Sequence, residues 1–264
     1  MAGIELALSA RGVRMEYRDR SSDTRLVAIE AMDLDVADGE FVSLLGPSGC
    51  GKSTFLKIVN GLLTATGGEI RLRRNGKGRE DAMVFQDAAL FPWFSVLDNV
   101  AYGLVCAGVS NVDARKRAEP LITLVGLGGF ETKYPYQLSG GMQQRANLAR
   151  ALAVDAPILL MDEPFASLDA QTREVMQAEL LRIWNAAKKT VVFVTHQIEE
   201  AVYLSDRVVV MSARPGRILA DIPIALQRPR ALEVKRSAEF TAYAAQIWQL
   251  LSSQRAPAAA APEG

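Results

Sequence analysis

Apolar residues recur along the chain in short runs that alternate with stretches of helical spacing. The clearest runs, each the length of a strand, lie at 41–45, 83–85, 158–161, 191–195 and 207–211. Continuous apolar strands separated by helices are typical of a parallel sheet that is covered on both faces. The pattern therefore predicts an α/β fold with a mostly parallel core sheet.

The first 45 residues follow a different pattern of short alternating and apolar runs. Two of these runs, Leu26–Ile29 and Glu40–Leu45, are separated by the pair Asp38 and Gly39, which favours a turn. Such spacing is typical of hairpins rather than of long helices. We therefore expect an antiparallel β-subdomain at the N-terminus.

Helical spacing dominates the middle of the chain. Apolar residues recur every three or four positions at 96–109 and 112–125. These stretches predict a helical subdomain at about 87–145, inserted into the α/β domain.

The sequence near the C-terminus predicts a helical extension and a tail after the α/β domain. The α/β domain is expected over residues 4–225, and a helical extension follows over 226–255, where Ser237 is a suitable N-cap for a helix. The last part, 256–264, is rich in Ala and Pro, so we expect it to be disordered.

Composition excludes several classes of function. The 264 residues are 49% hydrophobic, which suffices for a large core and excludes disorder for most of the chain. Thirty Lys and Arg balance thirty Asp and Glu, so no net charge attracts nucleic acid or an anionic membrane. Two cysteines and one histidine argue against a disulfide scaffold and a multi-histidine zinc site, and they favour a reducing, cytoplasmic setting.

The sequence shows no pattern of its own for export or for crossing a membrane. Met1–Tyr17 lacks a basic segment followed by an unbroken apolar stretch, so it does not resemble a signal peptide. The longest apolar runs are far shorter than the roughly 18 residues that a membrane span needs. We expect the chain to reach a membrane only through a partner.

A glycine-rich loop lies between the run at 41–45 and a stretch of helical spacing. It fits the pattern G-x-x-x-x-G-K-[S/T], in which backbone N–H groups and a helix N-terminus surround phosphate oxygens. Lys52 would reach the β- and γ-phosphates of a nucleotide, and Ser53 would ligate Mg²⁺. An accidental glycine-rich loop is the alternative, and the flanking strand and helix argue against it. We assign the segment to ATP binding: Gly46, Pro47, Ser48, Gly49, Cys50, Gly51, Lys52, Ser53 and Thr54.

Two carboxylates follow the apolar run at 158–161. Asp162 would hold the magnesium ion, directly or through water, and Glu163 would polarise the attacking water. A strand that leaves the core into a charged turn is the alternative, and it would be the default without Lys52.

Further motifs appear in the order found in a known family. Leu138–Arg145 places a serine and two glycines directly before a helix, where bare N–H groups can meet an anion. Gln86 follows one strand, Ser167–Asp169 follow the two carboxylates, and His196 follows another strand. Together with the phosphate loop, these motifs resemble the ATP-binding cassette (ABC) ATPase family over about residues 10–215.

The resemblance implies a P-loop NTPase fold of the RecA-like kind and a role for each motif. Tyr17 would stack on adenine, Gln86 would contact magnesium and the attacking water, and His196 would contact the γ-phosphate. Considered alone, a tyrosine in a strand usually packs, and a solitary histidine is more often a satisfied surface or core residue. The catalytic set would be Lys52, Gln86, Glu163 and His196, and the metal ligands would be Ser53, Gln86 and Asp162.

Three further residues would act on the nucleotide of a second subunit. Ser139 and Gly141 look like the signature residues that close over that nucleotide, and Asp169 looks like an acid at the same interface. The resemblance implies head-to-tail pairs in which each ATP lies between Lys52 of one chain and Ser139 of the other. The expected partner is a second ATPase subunit, in the simplest case an identical one.

The spacing of the motifs distinguishes branches of the family. The interval between Lys52 and Ser139 has no heptad series, unlike DNA-repair and chromosome-organising relatives with a long coiled coil there. Without a fused membrane segment, the chain resembles the separate ATPase subunit of a bacterial importer, held at the cytoplasmic face of the inner membrane. Such a subunit works with transmembrane permease subunits and usually an external substrate-binding protein. The alternative is an ABC-type clamp acting on nucleic acid or ribosomes, against which stand the single phosphate loop and the absence of net charge.

Three segments resemble the nitrate/sulfonate/taurine importer group more closely. They are 90–100, 135–145 and 211–217. The resemblance implies that the transported solute is a small oxyanion such as nitrate, or a sulfonate such as taurine. It also implies that Phe91, Trp93 and Phe94 receive a helix of the permease, and ordinary aromatic core is the alternative.

Two features depart from that group. Gln197 stands where an acid commonly follows the histidine, and 71–79 holds five basic residues. Because the basic stretch lacks interleaved aromatic residues, we expect a solvated hairpin there and no nucleic-acid partner.

Overall fold

The computed structural model describes residues 5–18, 24–73 and 80–255. In these residues the strands are β1 (Leu6–Arg18), β2 (Arg25–Ala37), β3 (Phe41–Leu45), β4 (Gly67–Leu72), β5 (Asp81–Val84), β6 (Ile158–Asp162), β7 (Thr190–Thr195), β8 (Arg207–Met211) and β9 (Ile218–Pro223). The helices are α1 (Lys52–Val59), α2 (Val96–Cys106), α3 (Asn111–Leu124), α4 (Gly140–Ala153), α5 (Ala170–Ala187), α6 (Ile198–Leu204) and α7 (Ala238–Ser252), with 3₁₀ turns at Pro135–Gln137, Leu232–Arg236 and Ser253–Arg255. The predicted tail at 256–264, the first residue of the predicted α/β domain and most of the basic stretch lie outside the described residues.

The core is a six-stranded sheet in the order β5-β6-β7-β3-β8-β9. The first five strands in this order run parallel, and β9 pairs antiparallel with β8 at the edge. The predicted mostly parallel core sheet is therefore confirmed. The edge strand β9 was not predicted, since its half-exposed residues do not form the continuous apolar run of a central strand.

Alternate side chains of the central strands build two separate cores. Phe41 and Leu45 of β3 join the core formed with α2 to α7, whereas Val42 and Leu44 join the core formed with α1 and the N-terminal strands. Successive residues of a strand point to opposite faces, so a strand in a sheet covered on both sides must be buried at every position and mostly apolar. This requirement explains why all five residues of β3 are buried.

A second, three-stranded sheet packs against α1 and has the order β2-β1-β4. Its strands pair antiparallel, as predicted for the N-terminus. The run at 41–45 was predicted both as a strand of the parallel sheet and as part of the N-terminal hairpins; the hairpin prediction was wrong, because β3 lies inside the parallel sheet between β7 and β8. An antiparallel hairpin would leave one face of β3 outside a core, and its apolar residues require both faces to be covered.

The helical segment between β5 and β6 has the helices that the apolar spacing predicts, with earlier ends. The prediction extended α2 to residue 109 and α3 to 125, but α2 ends at Cys106 and α3 at Leu124. Gly108 and Gly126 follow these ends with φ of 87° and 68°, a left-handed conformation that terminates a helix.

The C-terminal extension packs on the core through α7. Ser237 caps this helix as predicted, since its side chain accepts a hydrogen bond from the amide of Phe240. Phe240 and Ile247 are buried in the larger core. Within the described residues, none of the helices has the length and apolar character needed to cross a bilayer.

Candidate nucleotide site

The predicted chemical groups converge at one edge of the core sheet. The phosphate loop follows β3, Gln86 follows β5, Asp162 ends β6 and His196 follows β7. These strands are parallel neighbours, so their carboxyl ends meet at the edge where open α/β sheets bind ligands. A cavity of about 480 Å³ lies there. Among the described residues it is lined by Tyr17, Leu26, Ala28, Ser48, Gly49, Gly51, Lys52, Ser53, Thr54, Gln86, Glu163, His196 and Arg214.

The phosphate loop needs glycine at a position where the backbone is left-handed and crowded. Gly51 has φ of 99°, and a Cβ on it would lie 2.8 Å from Ile29 Cγ1 and 3.0 Å from the carbonyl oxygen of Ala28. Helix α1 begins at the next residue, without a side-chain cap at Gly51. The first amides of a helix have no partners within the helix, so those of α1 face the cavity as an anion site.

Lys52 is held inside the loop by backbone carbonyls. Only 4% of the residue is exposed, and Nζ donates to the carbonyl oxygens of Gly46 at 2.7 Å and Pro47 at 2.9 Å. These bonds satisfy a buried ammonium group and fix its direction. Gly46, Pro47 and Cys50 thus shape the loop from behind and do not line the cavity.

Ser53 and Asp162 meet below the cavity. Ser53 Oγ donates to Asp162 Oδ1 at 2.7 Å, and burial raises the pKa of the Asp162 carboxyl above its usual value. A hydroxyl and a carboxylate oxygen, with the Gln86 side chain nearby on the cavity wall, are the ligand types that Mg²⁺ takes. In the described part of the chain, no three His, Cys, Asp or Glu side chains group to hold a metal by themselves. The residues present therefore fit an ion that also binds substrate phosphates.

Glu163 and His196 contact each other on the wall of the cavity. His196 Nδ1 lies 2.9 Å from Glu163 Oε2. Glu163 has a φ of 45°, which is uncommon for a residue with a side chain and costs about 1–3 kcal/mol. Its amide donates to the carbonyl of Val194 at 2.9 Å, which holds this turn and directs the carboxylate into the cavity.

A buried hydrogen-bond network stabilises the backbone on both sides of His196. Thr195 Oγ1 accepts from the amide of Gln197 at 3.0 Å and donates to Glu200, which also accepts from Gln177 Nε2 at 2.9 Å. Burial raises the pKa of the Glu200 carboxyl. Gln197, which departs from the family pattern, accepts from Arg173 Nη1 at 3.3 Å and so points away from the cavity.

Tyr17 lies at the end of β1 on the rim of the cavity. The residue is 39% exposed, and its hydroxyl lies 3.5 Å from Thr54 Oγ1. An exposed aromatic ring beside a phosphate loop can stack on a base, since it offers a flat apolar face. The packing alternative is not favoured by this exposure, and stacking on adenine stays a prediction.

The three residues predicted to act on the nucleotide of a second subunit lie outside both the cavity and the phosphate loop. Ser139 caps α4, where its side chain accepts from the amide of Met142 at 3.3 Å. Asp169 caps α5, and its hydrogen bond from Thr172 lowers the pKa of its carboxyl. A Cβ on Gly141 would lie 3.0 Å from Leu168, so the signature segment and the segment before Asp169 adjoin each other. One chain therefore presents a cavity and, separately, the face predicted to close a second cavity.

Aromatic residues after Gln86 form a surface patch. We call Phe91, Trp93, Phe94 and Tyr102 the aromatic patch; neighbouring rings in it have centroids 4.7–6.3 Å apart. Trp93 is 67% exposed, which contradicts the core alternative for this residue. Phe91 and Tyr102 also line a second cavity of about 390 Å³.

Two polar residues near the nucleotide cavity were missed by sequence reasoning. Arg214 lies in the segment 211–217, which was singled out only for its resemblance to the importer group. Glu200 lies in a helix with no motif assigned to it. Both make contacts that join distant parts of the chain, and spacing along the sequence carries no signal of such contacts.

Comparison with known proteins identifies the family of the chain. The sequence profile of the ABC transporter family matches residues 29–166. The chain is similar to an uncharacterized ABC transporter ATP-binding protein of Methanocaldococcus jannaschii, with 50% identity over 233 residues, covering 87% of this chain and 86% of that protein. It is also 47% identical, over 214 residues and 80% of each chain, to the taurine import ATP-binding protein TauB of Roseobacter denitrificans.

Solved structures match the fold as well. A dimeric ATP-binding cassette in a post-hydrolysis state, bound to ADP and Pi, superposes with a TM-score of 0.75 at 31% identity. The match covers 83% of this chain and all of that one. The predicted P-loop NTPase fold is confirmed.

Proposed function

Because this chain belongs to the ABC transporter family and carries its ATPase domain, we propose that it energises the import of a small solute by binding and hydrolysing ATP. The observation that carries this proposal is that Lys52, Glu163 and His196 line one cavity beside the phosphate loop. The taurine import relatives support import as the direction of transport.

The nucleotide would bind with its phosphates on the loop and its base against Tyr17. The amides at the start of α1 and the ammonium group of Lys52 supply positive charge where the phosphates would lie. Mg²⁺, held by Ser53, Asp162 and Gln86, would neutralise charge on the phosphate oxygens. Lys52 Nζ donates to two backbone carbonyls of the loop, so at least one of these bonds would be exchanged for a phosphate oxygen when ATP binds.

Glu163 would accept a proton from the attacking water. Its Oε2 contacts His196 Nδ1, which orients the carboxylate and leaves the other ring nitrogen of His196 for the γ-phosphate. Val194 and the left-handed turn hold Glu163 in this direction. The proton of the water would move to a Glu163 oxygen as the water oxygen bonds to the γ-phosphorus and the bond from that phosphorus to the bridging oxygen breaks, which gives ADP and phosphate.

Replacing Glu163 by glutamine tests this assignment. Glu163→Gln should bind ATP as the wild type does, while hydrolysis falls about 10²- to 10⁴-fold because the general base is lost. Glu199→Gln is the matched control, since Glu199 is exposed three residues after His196 and is expected to keep full activity. Measured hydrolysis of Glu163→Gln equal to that of the control would remove Glu163 from its role.

Each cavity would be completed by a second copy of the chain. Ser139, Gly141 and Asp169 lie outside the cavity of their own chain, and the similar solved cassette is a dimer. In a head-to-tail pair, these residues would close over the ATP bound to Lys52 of the other copy. Lys52→Ala and Ser139→Arg should each be inactive alone and should regain hydrolysis when mixed, because one mixed site has both residues intact. A mixture that stays inactive would contradict shared sites.

The aromatic patch would receive the permease and hold the chain at the cytoplasmic face of the inner membrane. Its exposed Trp93 stands among packed rings, a composition typical of the centre of a protein interface. Trp93→Ala should lose the permease in a pull-down from detergent-solubilised membranes while keeping its own fold. Trp248→Ala, which removes another exposed tryptophan on α7, should keep the permease. Recovery of nucleic acid or ribosomes instead would support the clamp alternative.

The transported solute would be a small oxyanion such as nitrate or a sulfonate such as taurine, delivered by an external binding protein. The similarity to taurine import proteins supports the sulfonate. A strain that lacks this chain should fail to grow with taurine as the sole sulfur source, and growth equal to the parent strain would exclude that solute.

A further inference from the structure

Arg214 lies far from the phosphate loop in sequence and directly against it in the fold. Its Nε donates to the carbonyl oxygen of Gly49 at 3.2 Å. A terminal guanidinium nitrogen lies 3.1 Å from the place a Cβ would take on Gly49. The side chain is exposed and lines the nucleotide cavity, so the guanidinium group covers one face of the loop.

The turn that carries Arg214 is held firmly against the loop. Ser212 Oγ lies 2.8 Å from the carbonyl oxygen of Pro215 and braces the turn from inside. The amide of Gly216 donates to Ala28 at 3.0 Å, and a Cβ on Gly216 would lie 2.1 Å from the carbonyl oxygen of Cys50. Because any side chain at Gly216 would collide with the loop backbone, the turn and the loop fit closely together.

The terminal guanidinium nitrogens of Arg214 are available to donate hydrogen bonds to a ligand. In the described part of the chain its terminal nitrogens donate no hydrogen bond to protein, whereas the Lys52 ammonium already donates to two carbonyls. Among the described side chains that line the cavity, the lysine and arginine side chains are those of Lys52 and Arg214, and both residue types are positively charged in neutral water. A planar guanidinium group with several fixed donors matches phosphate oxygens well.

We propose that Arg214 binds the phosphate chain of the nucleotide as a second cation beside Lys52, while its Nε holds the loop at Gly49. This inference rests on the proposed nucleotide site and adds a residue that lies outside every motif assigned to it. Arg214 would contribute to affinity in proportion to the negative charge of the nucleotide.

Arg217 provides a matched control in the same turn. Its Nε lies 3.1 Å from Glu30 Oε2, and it does not line the cavity. The two arginines therefore differ in their contact with the cavity, while both are exposed and lie in the segment between β8 and β9.

The experiment is to titrate the full chain with ATP, ADP and AMP by calorimetry. Arg214→Gln should weaken ATP binding about tenfold, ADP binding less, and AMP binding least, because each lost phosphate removes a partner of the guanidinium group. Arg214→Lys, which keeps the charge but loses Nε, should fall between the wild type and Arg214→Gln. Arg217→Gln should bind all three nucleotides as the wild type does.

Two results would overturn the inference. The first is an Arg214→Gln protein that binds ATP as tightly as Arg217→Gln does. The second is an equal loss of affinity for ATP, ADP and AMP, which would mean that Arg214 only shapes the loop and does not bind the phosphates. The variant Lys52→Ala distinguishes a failure of the Arg214 inference from a failure of the proposed nucleotide site. If Lys52→Ala binds ATP normally, both proposals fall, and if only Lys52→Ala loses binding, the Arg214 inference alone falls. Should Arg214→Gln not fold, Arg214→Met is titrated in its place with the same expected order.

Discussion

Removing the carboxylate of Glu200 should destabilise the chain behind the nucleotide cavity. This carboxylate accepts from Gln177 Nε2 at 2.9 Å and from the hydroxyl of Thr195, which itself accepts from the amide of Gln197. Gln177, Thr195 and Glu200 are almost completely buried, so water cannot replace the lost partners. Glu200→Ala therefore leaves two buried donors unpaired, the hydroxyl of Thr195 next to His196 and Nε2 of Gln177 on α5.

The magnitude follows from those two donors. A buried donor left without its acceptor costs about 1–3 kcal/mol. The variant also no longer buries a carboxylate, which is itself unfavourable, and this gain offsets part of the cost of the two unpaired donors. We expect Glu200→Ala to lower the free energy of unfolding by about 2–4 kcal/mol, measured by urea denaturation followed by circular dichroism. ATP hydrolysis should fall as well, because the backbone that carries His196 loses its support.

The neighbouring glutamate is the control for this prediction. Glu199 is exposed on the same helix, so Glu199→Ala should change the free energy of unfolding by no more than about 0.5 kcal/mol. The reasoning is refuted if the two variants have the same stability, since the buried network would then contribute nothing.

Three further predictions test the loop, the C-terminal helix and the buried acid. Gly51→Ala should weaken ATP binding at least about tenfold in a nucleotide titration, because its Cβ would meet Ile29 at 2.8 Å; Gly61→Ala, at a similar φ of 80° with open space, should not. Ser237→Ala should lower the free energy of unfolding by about 1 kcal/mol in urea, through loss of the α7 cap. Burial raises the pKa of Glu200, so stability that is present below the unfolded pKa is lost as the pH rises through the folded pKa. Glu200→Gln should remove this loss, and its stability relative to the wild type, measured in urea at several pH values, should increase from about pH 4.3 upward.

The secondary structure could largely be predicted because it depends on local periodicity. The continuous apolar runs of β6, β7 and β8 and the helical spacing of α2 and α3 are visible without any knowledge of their neighbours. The assignment of β3 to the N-terminal sheet was wrong because the choice of partner strand depends on which faces are covered in the whole fold.

Some features of the candidate site could likewise be predicted from local sequence, and others could not. The phosphate loop was recognisable because strand, loop and helix follow each other directly along the chain. The contact between Glu163 and His196 was not predicted, since 33 positions separate the two residues along the chain. Arg214 at Gly49 and Glu200 at Gln177 were not predicted, because neither pair has a local pattern.

The sequence by itself determined the α/β class, the phosphate loop and the family to which the chain is similar. These properties follow from side-chain periodicity and from motifs a few residues long, which are present in the chain before it folds. Only the tertiary structure decided that the turn after β8 lies against the loop after β3, and that the signature residues lie outside their own cavity. The order of strands in the sheet sets both outcomes, because burial of two apolar faces selects neighbours across the whole chain.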